Sequence, residues 1–273
     1  MAPCAEGFLT LGIPALSRCA SGTEDWITVD EIGYLETACA EYQNALRALM
    51  ERKRVAAVVR KQELPFLVEM RSREDAFLVD LDDPFGNIGC VIMASGMGRR
   101  FGGNKLMADF KGEALLCRIL DATQGIFKRR VVVTRHVEAA RLCEQRGIET
   151  ILHDLPGRND TVRLGLGALD DIERCMFCAG DQPLLRRESV QALALAAAHD
   201  SKSIWRAGYE GVPGNPVVFP KWAFELLCHL PEGKGGSIVI KKYPERLRLV
   251  NVRDKDELKD VDSPEDLLQL QER

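Results

Sequence analysis

A cluster of glycines and basic residues follows a short apolar segment in the first half of the chain. Positions 95–105 read S-G-M-G-R-R-F-G-G-N-K, with four glycines and three cations, Arg99, Arg100 and Lys105. Glycines let the backbone turn tightly and bring N–H groups close to an anion, whose charge the basic side chains neutralise. Phe101 stands where a dinucleotide fingerprint needs glycine, and Leu106 follows the lysine where a Walker A loop needs serine or threonine. The loop predicts a phosphate site of another kind, the alternative being a plain turn with solvated arginines.

An aspartate follows a second apolar segment. Residues 175–178 lead into A-G-D-Q-P-L-L, so that Gly180 and Pro183 flank Asp181. A carboxylate at the end of a strand is well placed to hold Mg²⁺ on a triphosphate. The same pattern suits a helix N-cap, because aspartate before Pro-Leu is a good helix start signal. The residues alone leave both interpretations open.

Cysteine and histidine patterns do not indicate a zinc site. Cys175 and Cys178 form a C-x-x-C pair, but no second pair accompanies it. Strand positions three apart point to opposite faces of a sheet, so we expect two buried thiols. The histidines are dispersed, and we assign none to catalysis: His136, His153, His199 and His229.

These residues need a framework that brings them together. Apolar strand-like runs alternate with amphipathic segments, which indicates an α/β fold with a mainly parallel sheet and helices on both faces. In such sheets ligands bind at the carboxyl ends of the strands, where both sets of residues lie. The pattern predicts strands over 26–29, 55–59, 76–79, 88–93, 130–134, 149–153 and 175–178, and helices over 35–53, 65–71, 114–124, 138–146, 160–172 and 188–199.

An acidic turn cluster, D-D-P-F-G-N at 82–87, divides the chain into two predicted units, 1–85 and 86–273. The first contains 9 basic and 15 acidic residues, and the second contains 28 and 26. Neither has the basic stripe that is typical of nucleic-acid-binding proteins. The chain has no run of about 18 apolar residues that would indicate a membrane span. Its nine cysteines, an odd and scattered number, favour reduced thiols and a cytoplasmic location.

The second unit resembles the nucleotidyltransferases of the molybdenum-cofactor type, the MobA-like family, whose fold is Rossmann-like and GT-A-like. The motifs are the glycine-rich loop after its strand, G-D-Q-P-L around Asp181, and D-V-D-S-P-E-D-L at 260–267. Ser95 stands where the family more often has alanine or glycine. The resemblance implies that Asp181 and Asp262 hold Mg²⁺ and that Arg100, Lys105 and Asp181 are catalytic. It implies a nucleotide-binding set of Ala94, Ser95, Gly96, Gly98, Arg100, Lys105, Asp160 and Thr161.

Two of these segments also have a purely structural interpretation. The segment 157–166, G-R-N-D-T-V-R-L-G-L, resembles the family's base and ribose loop, and Asp160 within it also suits a helix N-cap. Ser263, Pro264 and Asp266 match a capping box. The two interpretations are compatible there, because Asp262 directly precedes the cap.

Later segments bear on the substrates. G-N-P-V-V-F at 214–219 and G-K-G-G-S at 233–237 resemble the acceptor-side region of the branch that transfers CMP. The resemblance implies transfer of CMP from CTP to molybdopterin, the molybdenum cofactor, with release of pyrophosphate. It suggests a molybdenum hydroxylase or its maturation factors as partners. The alternatives are GTP as the donor, a sugar or alditol phosphate as the acceptor, and a non-catalytic partner in hydroxylase maturation.

The first unit resembles the later part of a small P-loop nucleoside triphosphatase. W-I-T-V-D-E at 26–31 is similar to a Walker B strand, in which aspartate positions Mg²⁺ and glutamate orients the attacking water. The chain contains no G-x-x-x-x-G-K-[ST] sequence. The resemblance therefore implies a partial P-loop unit without hydrolytic activity, in which Asp30 and Glu31 are remnants or surface acids.

Overall fold

A computed structural model describes residues 5–157 and 159–273 and divides the chain into two compact units, Met1–Asp80 and Leu81–Arg273. The first unit has a small core of its own, and the second has two cores on opposite faces of a large sheet. None of the helices within the described ranges has both the length and the apolar composition needed to cross a bilayer.

The first unit is built on two parallel strands and the helices that pack beside them. Its core includes Ile32, Leu46 and Leu67, which are fully buried, whereas Trp26 and Val58 on the strands are exposed. Its elements are α1 (Ala5–Gly7), a π-helical stretch Phe8–Gly12, α2 (Ile13–Ser21), β1 (Trp26–Ile32), α3 (Ala40–Arg52), β2 (Arg54–Val59) and α4 (Pro65–Arg71). β1 pairs with β2 in parallel.

The predicted strand over 76–79 is wrong. The segment has no regular structure, and Phe77 and Leu78 are exposed. A strand needs a neighbour for its backbone hydrogen bonds, and the two-stranded sheet of this unit consists of β1 and β2. The apolar run was therefore a misleading signal.

The second unit contains the remaining elements. They are β3 (Ile88–Ala94), β4 (Asp109–Phe110), β5 (Glu113–Ala114), α5 (Leu115–Ala122), β6 (Arg129–Thr134), α6 (Val137–Gln145), β7 (Glu149–Leu152), α7 (Asp160–Gly167), β8 (Arg174–Ala179), α8 (Arg187–Ala198), β9 (Ile204–Tyr209), β10 (Val212–Pro220), α9 (Phe224–Cys228), α10 (Ser237–Lys242), β11 (Leu247–Asn251) and α11 (Pro264–Gln271).

Seven of these strands form one mainly parallel sheet in the order β11-β9-β10-β8-β3-β6-β7, in which β10 is antiparallel to both neighbours. The central strand β3 is buried on both faces, which explains its continuous apolar sequence. Cys90 and Ile92 enter the core covered by α5, α6 and α8, and Val91 enters the core covered by α7, α9 and α10. The mainly parallel α/β architecture with helices on both faces is confirmed.

Two features of the second unit differ from the sequence pattern. The predicted helix over 160–172 ends at Gly167, and Asp171 has a positive φ of 56°, which a continuing helix excludes. The hairpin of β9 and β10 was not predicted, because three prolines within β10 obscure its strand character. The turn between the strands, Glu210 and Gly211, has positive φ at both positions, as a tight hairpin requires.

Candidate active site

The carboxyl ends of β3 and β8 meet at one edge of the sheet, because these parallel strands are direct neighbours. The glycine-rich loop leaves β3 after Ala94, and Asp181 lies two residues after the end of β8. The backbone N–H of Gly180 donates to the carbonyl of Met93 at 3.0 Å, so the two loops start in direct contact. The topology thus brings the two predicted sets of residues together.

Two glycines of the loop are needed for different reasons. Gly98 has a φ of +57°, and a Cβ built on it would lie 2.1 Å from the carbonyl oxygen of Gly103, so the fold of the loop itself requires glycine. A Cβ on Gly96 would meet open space. The absence of a side chain at Gly96 leaves its backbone accessible to a ligand, which suits a loop that cradles phosphates.

The start of the loop is held by the neighbouring strands. The hydroxyl of Thr134 donates to the carbonyl of Ala94 at 2.9 Å, and the hydroxyl of Ser95 donates to the carbonyl of Val133 at 3.1 Å. His153 Nε2 lies 2.9 Å from Ser95 Oγ, and His136 Nε2 lies 2.8 Å from the carbonyl oxygen of Gly96. The predicted residues Ala94, Ser95 and Gly96 therefore form a segment anchored to β6 and to the residues after β6 and β7.

Lys105 lies between the two predicted metal-binding carboxylates. Its ammonium is 2.5 Å from Asp181 Oδ2 and 3.3 Å from Asp262 Oδ1, and it donates to the carbonyl of Val261 at 2.6 Å. The lysine is only 7% exposed. Arg100 is on the open side, with its Nη1 atom 3.2 Å from Asp262 Oδ2. Residues that are 157 positions apart in sequence thus form one charged cluster, in which the lysine bonds to carboxylates rather than to the glycine loop.

The segment before α11 completes this cluster. The N–H of Val261 donates to the carbonyl of Asp181 at 2.9 Å, which fixes Asp262 beside the lysine. The predicted capping box is confirmed, because Ser263 and Asp266 exchange side-chain and backbone hydrogen bonds at the start of α11. The alternative interpretation of Asp181 as a helix N-cap is wrong, because the next helix begins only at Arg187.

The electrostatics of the cluster reflect burial and opposing charges. Burial alone would lower the pKa of Lys105. The adjacent carboxylates of Asp181 and Asp262 raise this pKa by more than burial lowers it, so the net shift is upward and the ammonium is stabilised. The pKa of Asp260 is raised to about 6, first by desolvation of its carboxyl and then by the negative charges of Asp181 and Asp262. A third carboxyl group therefore borders the site and responds to its charge.

The carboxylate pair suits a divalent cation that also binds phosphate. Asp181 and Asp262 direct oxygens toward one point, where the ammonium of Lys105 lies. Mg²⁺ and Mn²⁺ prefer oxygen ligands, and Mg²⁺ typically combines one or two carboxylates with substrate phosphates. Across the described ranges no group of three or more His, Cys, Asp or Glu side chains could hold a metal ion alone. The donor set thus fits a metal shared with a phosphorylated ligand.

Of the remaining predicted nucleotide residues, Asp160 and Thr161 begin α7. The N-cap of this helix is Asn159, so the N-cap interpretation of Asp160 is wrong, and the Asp160 carboxylate accepts from the N–H of Gly157 at 2.9 Å. Thr161 is buried. Arg158, which belongs to the predicted base and ribose segment, lies outside the described residues. The structure does not bring Asp160 or Thr161 into the Lys105 cluster.

Sequence reasoning missed three side chains at this edge. Asp260 belongs to the D-x-D spacing at 260–262, which places two acids on one side of an extended segment.

His153 follows β7, so its position after a strand was a usable signal. Because Ser95 donates to Val133, its oxygen accepts from Nε2–H of His153. Burial, with the charge of Arg135, lowers the pKa of His153. His136 precedes α6, and nothing in the sequence indicated its contact with the loop.

The C-x-x-C pair behaves as expected. Cys175 and Cys178 are both fully buried and belong to the cores on opposite faces of the sheet. A contact with Cys90, together with burial, raises the pKa of Cys178, and burial raises the pKa of Cys175. Both are therefore packing thiols of β8.

A comparison with protein-family models agrees with this geometry. The model of the MobA-like NTP transferase domain matches residues 90–247. The chain belongs to this family. The protein is therefore a nucleotidyltransferase, and the MobA-like domain includes the glycine-rich loop and Asp181. The model of the NTPase family matches residues 1–84, in agreement with the P-loop NTPase-like character expected of the first unit. A comparison with curated proteins finds no match.

Solved structures share the fold of the MobA-like domain. The Rv0371c protein of Mycobacterium tuberculosis H37Rv has a TM-score of 0.62 and 21% identity, over 68% of this chain and 99% of that chain. A nucleotidyl transferase from Methanothermobacter thermautotrophicus has a TM-score of 0.59 and 18% identity, over 68% and 97%. The CMP:2-keto-3-deoxy-manno-octonic acid synthetase, solved with CTP, has a TM-score of 0.55 and 12% identity, over 68% and 96%. Rv0371c was also solved in complex with manganese, with a TM-score of 0.55 and 19% identity, over 68% and 98%.

The acids of the first unit have different surroundings. Asp30 and Glu31 are exposed at the end of β1. Glu31 forms a two-bond ion pair with Arg60 at 2.7 Å and 3.0 Å, and both side chains are more than half exposed. This hydrogen-bonded pair lowers the pKa of Glu31 and raises that of Arg60. These residues have the setting of surface charges.

Proposed function

We propose that the protein transfers CMP from CTP to the terminal phosphate of molybdopterin and releases pyrophosphate, with Mg²⁺ as cofactor. Membership of the MobA-like family supports the reaction class, and the G-N-P-V-V-F segment supports CTP over GTP. The CTP-bound synthetase and the manganese-bound Rv0371c are similarly folded proteins with ligands of these two kinds.

The observation that carries the proposal is the cluster of Lys105, Asp181 and Asp262 beside the glycine-rich loop. A phosphoryl-transfer site needs groups that neutralise charge on a triphosphate at a fixed position. Here two carboxylates suited to a metal, a buried lysine and open backbone N–H groups meet at one sheet edge. This is the combination that nucleotidyl transfer requires.

The chemistry follows from these groups. An oxygen of the acceptor phosphate attacks the α-phosphorus of the nucleotide, and the bond to the bridging oxygen of the β-phosphate breaks as pyrophosphate leaves. The acceptor phosphate is ionised near pH 7, so no general base is needed. Mg²⁺ held by Asp181 and Asp262 would neutralise triphosphate charge. Arg100 and Lys105, with the loop N–H groups, stabilise the departing pyrophosphate, which requires the lysine to exchange a carboxylate for a phosphate partner.

The direct test measures pyrophosphate release with Mg²⁺, molybdopterin and either CTP or GTP. We expect release with CTP, and none from a variant Asp181→Asn, which keeps the size of the side chain but not its charge. Release with GTP alone would keep the reaction and overturn the donor assignment. No pyrophosphate release with either nucleotide and molybdopterin, followed by release with a sugar or alditol phosphate, would overturn molybdopterin as the acceptor. No release with any of these acceptors would favour the alternative of a non-catalytic partner in hydroxylase maturation.

A further inference from the structure

A cavity of about 120 Å³ lies in the second unit, beneath the sheet face that α7, α9 and α10 cover. Its walls include Phe177 and Phe219, whose rings pack edge to face with centroids 5.9 Å apart. Met93, the penultimate residue of β3, also contributes to the wall. The cavity is several times larger than one water molecule needs, so it has room for a compact organic group.

One cation lines this apolar cavity. Arg206 on β9 is half-buried, and its Nε atom donates to the carbonyl of Gly214. Within residues 5–157 and 159–273, no carboxylate lies within ion-pair distance of its guanidinium. Burial lowers the pKa of Arg206, and no acidic neighbour offsets this effect. A half-buried guanidinium without an acid partner leaves its terminal N–H donors for a ligand.

Two neutral polar side chains line the same cavity. Asn215 and Ser237 both border it, and neither side chain forms a hydrogen bond within the described parts of the protein. A binding pocket for an organic ligand typically combines apolar walls with a few convergent polar groups. The cavity has this composition, with Arg206 as its strongest donor.

The position of the cavity relates it to the transfer site. Arg206 pairs with Val217, which pairs with Phe177, four residues before Asp181 along the chain. With strands about 4.8 Å apart and a rise of about 3.3 Å per residue, the backbones of Arg206 and Asp181 are roughly 16 Å apart. A ligand that reaches both must be elongated, with a phosphate at one end and an apolar body at the other.

We propose that this cavity binds the pterin ring of the acceptor and that Arg206 donates to the ring edge that carries a carbonyl oxygen beside a ring nitrogen. The assignment rests on the proposed function, which names molybdopterin as the acceptor. Arginine recognises the equivalent edge of guanine, O6 and N7, with two parallel hydrogen bonds. Aromatic and aliphatic walls suit the faces of a flat heterocycle and disfavour a fully hydrated anion.

Binding can be measured without transfer. We would titrate the full chain with 6-hydroxymethylpterin and follow quenching of the pterin fluorescence, in the absence of nucleotide. We expect Arg206→Met to weaken binding at least tenfold and Arg206→Lys to weaken it less, because the lysine keeps a donor and a charge. Arg248→Met is the matched control, since Arg248 is exposed on β11 and donates to backbone carbonyls of its own segment. It should bind as the wild type does.

Three results would overturn the assignment. They are no binding of the pterin by the wild type, equal binding by Arg206→Met, and displacement of the pterin by inorganic phosphate at equal concentration, which would indicate an anion site. Urea unfolding of each variant separates loss of the pocket from loss of the fold. If Arg206 acted only through its bond to Gly214, Arg206→Lys and Arg206→Met would weaken pterin binding equally. That result would also overturn the assignment.

A transfer assay on the same variants separates this inference from the proposed function. If both hold, Arg206→Met raises the KM for the acceptor and leaves kcat and the KM for CTP unchanged, because a remote contact contributes equally to the ground and transition states. Pterin binding without any pyrophosphate release would disprove the reaction and keep the cavity assignment. Pyrophosphate release with an unchanged acceptor KM would keep the reaction and disprove the role of Arg206.

Discussion

Both units have acidic residues at or just after the carboxyl end of a parallel strand, but only one of these acid sets has the surroundings of a reaction centre. In the first unit Glu31 pairs with Arg60 across a surface where both side chains are more than half exposed. In the second unit Asp181 and Lys105 form a pair whose side chains are 21% and 9% exposed, with Asp262 beside them. Exposed ion pairs contribute little to stability or binding, whereas partly buried charges interact strongly.

The difference shows that the residue types of a motif say less about function than the side chains and loops that surround those residues in the structure. The carboxylates of the second unit converge on one cation beside a glycine-rich loop that is open to ligands. The carboxylates of the first unit have no such partner loop, because the sequence contains no G-x-x-x-x-G-K-[ST] loop that would hold a triphosphate beside them. We therefore expect the acids of the second unit to affect nucleotidyl transfer and those of the first unit to leave it unchanged, which variants of matched residues can test.

The largest expected effect is that of Asp181→Ala. Loss of this carboxylate removes a charge aimed at the triphosphate, so we expect transfer to fall about 10³-fold or more. The measurement is the rate of pyrophosphate release at saturating CTP. Asp30→Ala, the matched change at the end of β1, should leave the rate unchanged. An Asp30 variant with a comparable loss would remove the contrast between the units.

The next effect separates two glycines of the loop. Gly98→Ala places a Cβ against Gly103 at a positive φ, so we expect both nucleotide binding and stability to decrease. Gly96→Ala places its methyl in open space, so we expect unchanged stability and about 10²-fold weaker nucleotide binding, measured by calorimetry and urea unfolding. Gly7→Ala, which also meets open space, is the control in the first unit. Normal nucleotide binding by Gly96→Ala would show that the loop does not approach phosphates.

A smaller effect is expected for Lys105→Met, which keeps the apolar stem and removes the charge. We expect nucleotide affinity to fall about tenfold and the free energy of unfolding without Mg²⁺ to fall by about 2 kcal/mol, because two carboxylates lose a charged hydrogen-bond partner. Arg60→Met breaks the exposed pair of the first unit and should change neither quantity measurably. If Mg²⁺ restores the stability of Lys105→Met, the lysine and a metal share the same carboxylates.

Much of the framework could be predicted because its signals are local. The strands that carry Ile92 and Cys178 are buried on both faces and are therefore apolar throughout, and their loops carry the glycines and Asp181. The capping box at Ser263 also depends on neighbouring residues. Such features are encoded within ten residues of sequence.

The rest depended on contacts between distant residues. The bond from Lys105 to Val261 joins parts of the chain 156 positions apart, and no local pattern indicates it. β10 was missed because prolines weaken its strand signal. The pairing of Val217 with Arg206, and the cavity that both residues line, were therefore missed as well. Family resemblance selected Asp262, whereas only the structure shows that Asp260 borders the same cluster.

The smallest expected effect is one of pH, and it too separates the units. Burial and Arg135 hold the pKa of His153 below its ordinary value of 6.5, so the unfolded chain binds this proton first as the pH falls. The contribution of neutral His153 to stability is therefore full above pH 6.5 and is lost as the pH falls through 6.5 toward the folded-state pKa. The lowering of pH from 7.5 to 5.5 should reduce the amide protection of residues 93–97 in the wild type. His153→Gln should make this reduction smaller, as measured by hydrogen exchange resolved by peptide.

The comparison is well controlled, because the first unit contains no histidine. His229→Gln, at an exposed position, should leave the profile of the second unit as in the wild type. Protection of the first unit should not differ between the wild type and His153→Gln at either pH. If the pH profile of residues 93–97 were the same in His153→Gln as in the wild type, the bond to Ser95 would not hold the loop, and its position would depend on Thr134 and His136.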